Sequence, residues 1–522
     1  MTWNPRSFLR PDQRVFSLSA TEIEKASDPQ ECQFRVTLKS RPGDHPYRAN
    51  WRRRADPFLL DSFTQAVMRI HSLEKLGGDR WQSIDKVAQS AFGDLHRGLA
   101  KYFAHSLNAY FDYHEAREEE LGSLKFLSLR PEIEIQPGRA ILSTWGFLYE
   151  SETGDREIRR LRRSEPRTTL TAWALTSARV VADFSPRMSD QGRIWVTEVG
   201  LASGREKHLL DGVLPHEARQ LYQAEVRSVA NRATSALSTK TGRSCGSCDI
   251  AGQCGQVHSS TGILQINSRG PWTKTVSASD LSMYEECPSR WFMQKVAFLP
   301  RTVDITDAQL RGISVHSALA HAHKRNVACS TTDFDNEKSI LAAFGIQQSS
   351  DEFKSSEPYL RSHLATCQFT DPSVLGSGIE ETRYGYDADA DVVTATKADA
   401  FFMRGEEMII REVKTTHERP VTEDADGWFN RYLSNAWDLV ELAQGTFSGD
   451  GRHGAVELEV LSPAGSSLFT YRTDDLPLLR MARGRLRRIA EEWIEDRIWE
   501  PRPGSHCKSC PVAAWCDARS AE

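Results

Sequence analysis

Ten cysteines occur in the 522-residue chain, at positions 32, 245, 248, 254, 287, 329, 367, 507, 510 and 516. Eight of them fall into two matching sets. Cys245, Cys248 and Cys254 are spaced C-x2-C-x5-C, and so are Cys507, Cys510 and Cys516. Each triplet has a lone partner far upstream, Cys32 for the first and Cys287 for the second. Three close thiolates and one remote thiolate have the number and softness to hold a [4Fe–4S] cluster, which would staple the end of a domain to its first helix. A tetrahedral four-thiolate zinc site is the competing metal reading, and buried reduced cysteine is the third. Cys329 and Cys367 fit neither set and read as packing residues.

A second group of chemistry-bearing residues lies between Cys287 and Cys507, in DVVTATKADAFFMRGEEMIIREVKTTHERP. The pattern predicts two strands joined by a tight turn at Arg404-Gly405. Glu412 and Lys414 are two residues apart, so both side chains leave one face of their strand. Asp399 on the neighbouring strand can lie beside them. Two carboxylates suit magnesium or manganese, which activates water and neutralises phosphate charge. The lysine would orient the nucleophile or stabilise charge. The bland alternative is a salt-bridged strand pair.

These residues belong to an ordered series. Cys287-Pro288-Ser289-Arg290-Trp291-Phe292 comes first, then Arg311-Gly312-Ile313-Ser314-Val315-His316, then Asp399, then Glu412-Val413-Lys414-Thr415-Thr416, then the last cysteine triplet. Over roughly residues 275–519 this resembles the RecB-type PD-(D/E)XK nucleases closed by an iron–sulfur cluster. The AddB nuclease domain and CRISPR-associated RecB-like exonucleases are in that group. The resemblance implies a Mg2+- or Mn2+-dependent deoxyribonuclease. His316, Asp399 and Glu412 would bind the metal, Lys414 would act in catalysis, and Cys287, Cys507, Cys510 and Cys516 would hold the cluster. The family's Gln-x3-Tyr element after the lysine strand is replaced here by NRYLSNAWDLVELAQG, where Asn435 or Gln444 are the nearest substitutes.

The elements that must position these residues repeat along the chain. SATEIEKASDPQEC ends at Cys32 and SASDLSMYEEC ends at Cys287, each with a helix N-cap opening a short helix that ends near the cysteine. An internal duplication follows, with its boundary in Ser259–Pro271. The expected fold is α/β, with two tandem PD-(D/E)XK domains over 1–262 and 263–522. Each would be a central mixed sheet flanked by helices and closed by a four-cysteine cluster, the first on Cys32, Cys245, Cys248 and Cys254. In the first half, aligning GRAILSTWGFLYESETGDREIRRLRRS with the hairpin puts Trp145 at the position of Asp399, Arg160 at Glu412 and Arg162 at Lys414. An arginine cannot ligate a divalent cation, so the first domain is expected to be inactive. His96 is the candidate counterpart of His316.

The same half carries basic residues suited to phosphates and an aromatic suited to stacking: Trp51, Arg52, Arg53, Arg159, Arg160, Arg162 and Arg163. A solvated charged face is the alternative. Net charge is −5, so any nucleic-acid contact must be local. The first residues hold no apolar leader core and no run approaches a membrane span, which points to a cytoplasmic protein without membrane contact. No G-x4-G-K-[ST] loop occurs, so unwinding would need a separate helicase or defence-system subunit. The expected function is exonucleolytic cleavage of DNA ends or single strands, in repair or anti-phage, CRISPR-type defence. The alternative is a non-cutting iron–sulfur DNA clamp within a larger complex.

Overall fold

The computed structural model describes residues 4–9, 16–41, 60–91, 95–136, 139–248, 250–267, 275–303, 306–334, 350–418, 424–447 and 454–518. The chain forms two compact units. One comprises Met1–Ser244, Phe292–Thr302 and Cys510–Glu522, the other Cys245–Trp291 and Val303–Ser509.

In the first unit, β1 (Phe16–Ser19) leads into α1 (Ala20–Ser27), capped by the Ser19 side chain, which accepts from the Glu22 amide at 3.2 Å. After α2 (Arg97–Leu121) come β2 (Leu124–Ser128), β3 (Glu132–Gln136), β4 (Ala140–Ser143), β5 (Phe147–Ser151) and β6 (Arg156–Arg162). Helix α3 (Ala172–Asp183) then precedes β7 (Ile194–Gly200) and β8 (Glu206–Val213). A small sheet has the order β1-β4-β3 and a large one β2-β5-β6-β7-β8. Only β6 and β7 pair in parallel within the large sheet, and α3 makes the crossover that a parallel pair requires. Trp173, Ala174, Ala178 and Val181 of α3 pack with Ile158 and Val196 of the sheet. Truncating Trp173, fully buried, would cost about 3–5 kcal/mol.

The second unit repeats this order. Strands β9 (His258–Ser260) and β10 (Thr275–Val276) precede α4 (Ala278–Glu286), α5 (Asp307–His323) and α6 (Ser350–His363). Then follow β11 (Val374–Ile379), β12 (Thr382–Asp387), β13 (Val392–Lys397), β14 (Ala400–Arg404) and β15 (Glu407–Thr415). Helix α7 (Leu433–Ala443), β16 (Gly454–Ser462), β17 (Gly465–Arg472) and α8 (Leu476–Glu495) complete it. The small sheet is β10-β13-β12-β9 and the large one β11-β14-β15-β16-β17. Only β15 and β16 are parallel in the large sheet. Even the irregular first pair recurs: register shifts occur between Phe126 and Ser128 and between Leu375 and Ser377.

Every residue of β16 is buried, as in a central strand covered on both faces, and α6 and α7 both pack against it. Helix α8 buries Leu479, Ala482, Leu486, Ile489 and Trp493 on its apolar face. Helix α4 has a Ser277–Asp280 capping box and ends at Cys287, also as expected. Helix α1 differs: it ends at Ser27, short of Cys32, which instead stands at the N-cap position of the helix Gln33–Ser40. The DPQE stretch between them favours a turn over further helix. No described helix is long and apolar enough to cross a membrane.

Candidate active site

Asp399 lies where the chain leaves β13 in the small sheet and enters β14 in the large one. Gly405, with φ of 59°, lies in the turn of the β14–β15 hairpin, and that left-handed conformation favours glycine. Asp399 Oδ2 accepts the Val413 amide at 2.6 Å, and Oδ1 accepts from His316 Nδ1 at 2.6 Å. His316 is on α5 and is partly exposed. Glu412 and Lys414 do share a face: Lys414 Nζ donates to Glu412 Oε2 at 2.7 Å. Beneath the lysine is the ring of Tyr432, 5.9 Å away. Glu412, Lys414 and Tyr432 line a cleft of about 780 Å³ that also reaches Ser277 and Arg485.

Two further acids were not anticipated. Glu380, between β11 and β12, stands 3.7 Å from His316 Nδ1, and its amide donates to the Asp399 carbonyl at 3.1 Å. His316, Glu380 and Asp399 bring one donor atom each within 4.8 Å of one another. Asp438, buried on α7, lines the same cleft with Oδ2 lacking a hydrogen-bond partner. Its sequence signal was the spacing of Asn435, Asp438 and Glu441, a polar line along a helix whose other buried residues are mostly apolar. Glu380 had no comparable signal, because only the fold returns its turn to Asp399.

Burial favours the neutral form of each acid, but the neighbours divide them. At Asp399, burial is outweighed by His316, Lys414 and the Val413 amide, so its carboxyl is held well below the usual range. Burial would lower His316, but Asp399 raises it to about 10. Glu412 is raised by burial, against the pull of Lys414 and with Asp399 adding to the rise. Asp438 is pushed well above its ordinary value by burial and then by Glu412. The site thus holds more buried carboxylate than Lys414 neutralises, and this oxygen-rich donor set fits a hard divalent cation. Such an ion supplies Lewis-acid activation of water and charge neutralisation at phosphate. His316, Asp399 and Glu412 are the residues that would hold it, with Glu380 beside them.

Further along α7, fully buried Glu441 is raised to about 7, chiefly by burial and also by Asp387. An acid raised on folding binds more protons folded than unfolded between the ordinary carboxyl range and pH 7. Stability is expected to fall by a few kcal/mol as pH rises through that window. Thermal melts across it should show the fall, and Glu441→Gln should flatten it. An unchanged slope in that variant would assign the titration elsewhere.

In the first unit, Phe147 pairs with Arg159, while in the second Ala400 pairs with Arg411. With Arg160 aligned on Glu412, the position of Asp399 falls to Gly146, not to Trp145. No side chain fits there: a Cβ on Gly146 would come 2.7 Å from the Arg159 carbonyl oxygen. Arg160 makes two bonds to Glu24, at 3.2 and 2.7 Å, and Arg162 Nε donates to Glu198 at 2.7 Å. Guanidinium groups thus occupy the positions aligned with Glu412 and Lys414, each already paired with a carboxylate. This engagement also removes most of their capacity for phosphate. Arg159 must be withdrawn as a DNA contact: it is fully buried and bonds Glu157 and His114 at 2.9 and 2.8 Å. Arg163 lies over Phe298 at 4.9 Å. His96 is no counterpart of His316, since its Nδ1 caps α2 by accepting from the Gly98 amide at 3.2 Å. Trp51, Arg52 and Arg53 lie outside the described residues.

The cysteine triplets share a backbone pattern. Ala251 and Cys254 donate to the Cys248 and Ala251 carbonyls, as Ala513 and Cys516 do to those of Cys510 and Ala513. Cys245, Cys248, Cys254, Cys287 and Cys507 belong to the second unit, and Cys32, Cys510 and Cys516 to the first. None of the ten cysteines is in a disulfide.

The profile of the PD-(D/E)XK nuclease superfamily matches residues 275–517, and that stretch is a domain of this superfamily. Members are typically metal-dependent nucleases. No curated protein matches the chain. Among solved structures, one titled "Crystal structure of SSO0001" is similar at 15% identity, covering 40% of this chain and 95% of its own, with a TM-score of 0.20.

Proposed function

We propose that the domain at residues 275–517 hydrolyses DNA phosphodiesters with Mg2+ or Mn2+, acting as an exonuclease on ends or single strands. The observation that carries this reading is that, within the matched segment, His316 bonds Asp399, Asp399 bonds the Val413 amide, and the residues flanking Val413 are Glu412 and Lys414, which bond each other and line the cleft. His316, Asp399 and Glu412 hold the ion. Lys414, kept protonated by Glu412 and Asp399 despite burial, places positive charge beside the scissile phosphate. Tyr432 and Glu412 hold the lysine in place. Lys414→Gln is expected to lower cleavage of labelled DNA by ~10²–10³-fold, the usual loss of one charge-stabilising donor. Manganese binding, followed by calorimetry, should persist in that variant. Full activity in Lys414→Gln would remove the lysine from the mechanism.

The reading extends to the whole chain as a tandem duplication, residues 1–262 and 263–522, with an inactive first copy. Matching strand order in the two large sheets supports it, as do the arginines at the positions aligned with Glu412 and Lys414. The repeated cysteine spacing supports two [4Fe–4S] clusters, with zinc as the alternative. A cytoplasmic role in DNA repair or defence, beside a separate helicase or defence-system subunit, completes the proposal. Asp438 facing Glu412, where the family's Gln-x3-Tyr element is missing, keeps a non-cutting clamp as the second reading. Absence of cleavage on every end and strand type, with DNA binding retained, would favour the clamp.

A further inference from the structure

The sequence left Cys329 and Cys367 without a chemical role. In the fold they meet two histidines: His323, Cys329, His363 and Cys367 each bring a donor atom within 4.8 Å of the others. The pairs have the form H-x5-C and H-x3-C, and each starts at the last residue of a helix, α5 for His323 and α6 for His363. Three of the four residues are buried and Cys329 is half-buried.

We propose that these four residues form a structural zinc site, separate from the nuclease centre and from the two cysteine quartets. Two thiolates and two imidazoles are a usual tetrahedral zinc donor set. Bonds of about 2.3 Å to sulfur and 2.0–2.1 Å to nitrogen put tetrahedral donors roughly 3.3–3.8 Å apart. The two Nε2 atoms lie 3.0 Å apart and Cys367 Sγ lies 4.0 Å from His323 Nε2, so small side-chain rotations reach that geometry.

The surroundings are those of ligand histidines. His363 Nδ1–H donates to Glu459 at 2.7 Å, which leaves the Nε2 lone pair aimed into the cluster. Glu459 is itself fully buried, hydrogen-bonded by Thr366 and 3.6 Å from Arg411. A carboxylate on the outer nitrogen fixes the ring and raises its basicity, as around many metal sites. The amide of Gln368 lies 3.3 Å from His323 Nδ1. The site ties the ends of α5 and α6 to the central strand β16. His323 is two helical turns beyond His316, so the zinc anchors the helix that presents His316 to the active site.

The test compares full-length protein with Cys329→Ser, both dialysed against EDTA to strip exchangeable ions. Mass spectrometry for metals should find one equivalent of zinc more in the wild type. Cobalt reconstitution should add tetrahedral ligand-field absorption that the variant lacks. Stripping the wild type with a stronger chelator should lower its melting temperature, restored by zinc and not by magnesium. Should Cys329→Ser fail to fold, His323→Cys supplies a substitute ligand and should keep the zinc that His323→Ala loses. Equal zinc in wild type and Cys329→Ser overturns the proposal. So does a Cys329–Cys367 disulfide in the isolated protein.

Discussion

Asp399→Ala is expected to lower metal-dependent DNA cleavage at least ~10³-fold, equivalent to about 4 kcal/mol of lost transition-state stabilisation. Both oxygens of this carboxylate are committed, one to His316 and one to the Val413 amide. Alanine therefore removes the carboxylate proposed to bind the metal and also frees the imidazole from its partner. Asp399→Asn keeps the shape but loses the charge, and it should lose activity almost as far. Glu380→Gln should be milder, because Glu380 touches the site through His316 and is also paired with Lys397 at 2.6 Å. Initial rates on end-labelled DNA with Mn2+ or Mg2+, with circular dichroism to establish folding, measure all three. Wild-type cleavage in a folded Asp399→Ala protein would show that the chemistry lies elsewhere.

A large effect on stability is expected in the first unit from Glu157→Ala. Glu157 is fully buried on β6 and accepts from Tyr113 at 2.5 Å, Thr197 at 2.6 Å, Arg159 at 2.9 Å and Arg117 at 3.4 Å. Burial opposes its charge, but Arg159 and Arg117 outweigh that and hold its carboxyl at about 2. Alanine would leave the Arg159 guanidinium buried without its carboxylate, at a cost of about 3–5 kcal/mol. A unit of this size should then melt roughly 10 °C lower. Removing both charges, as in Glu157→Leu with Arg159→Met, should restore much of the loss, because the penalty is the orphaned charge. The sign with pH is set by the lowered carboxyl: its stabilisation is present above the ordinary carboxyl range and lost as pH falls toward 2. Differential scanning calorimetry at several pH values tests both points. A change under ~1 kcal/mol would mean that the pair is replaceable by water.

The strand pair of the candidate site was legible because its determinants are local. Glu412 and Lys414 obey the two-residue period of a strand, and Arg404-Gly405 marks the hairpin that brings Asp399 across. His316 was readable from the motif around it, and the N-caps at Ser19 and Ser277 from their own first turns. The first unit exposed the limit of that reading. Trp145 was placed at the Asp399 position, but strand pairing assigns it to Gly146. A one-residue slip is invisible at the junction between two sheets, where no alternation constrains the count. Arg159, part of an apparently solvated basic run, is instead fully buried, because the first four residues of β6 are covered on both faces of the sheet.

Residue types and short spacings by themselves determined the strand pair, the same-face acid and lysine, the repeated cysteine pattern and the arginine-rich run of the first half. Tertiary structure alone decided that Glu380 and Asp438 join the site, and that His323, Cys329, His363 and Cys367 meet. The physical reason is the range of the information. Strand alternation and helix capping act over a few residues, so they are written locally. The other groups stand on separate strands, turns and helix ends. Only burial of the sheet faces between α5, α6 and α7 brings them within bonding distance.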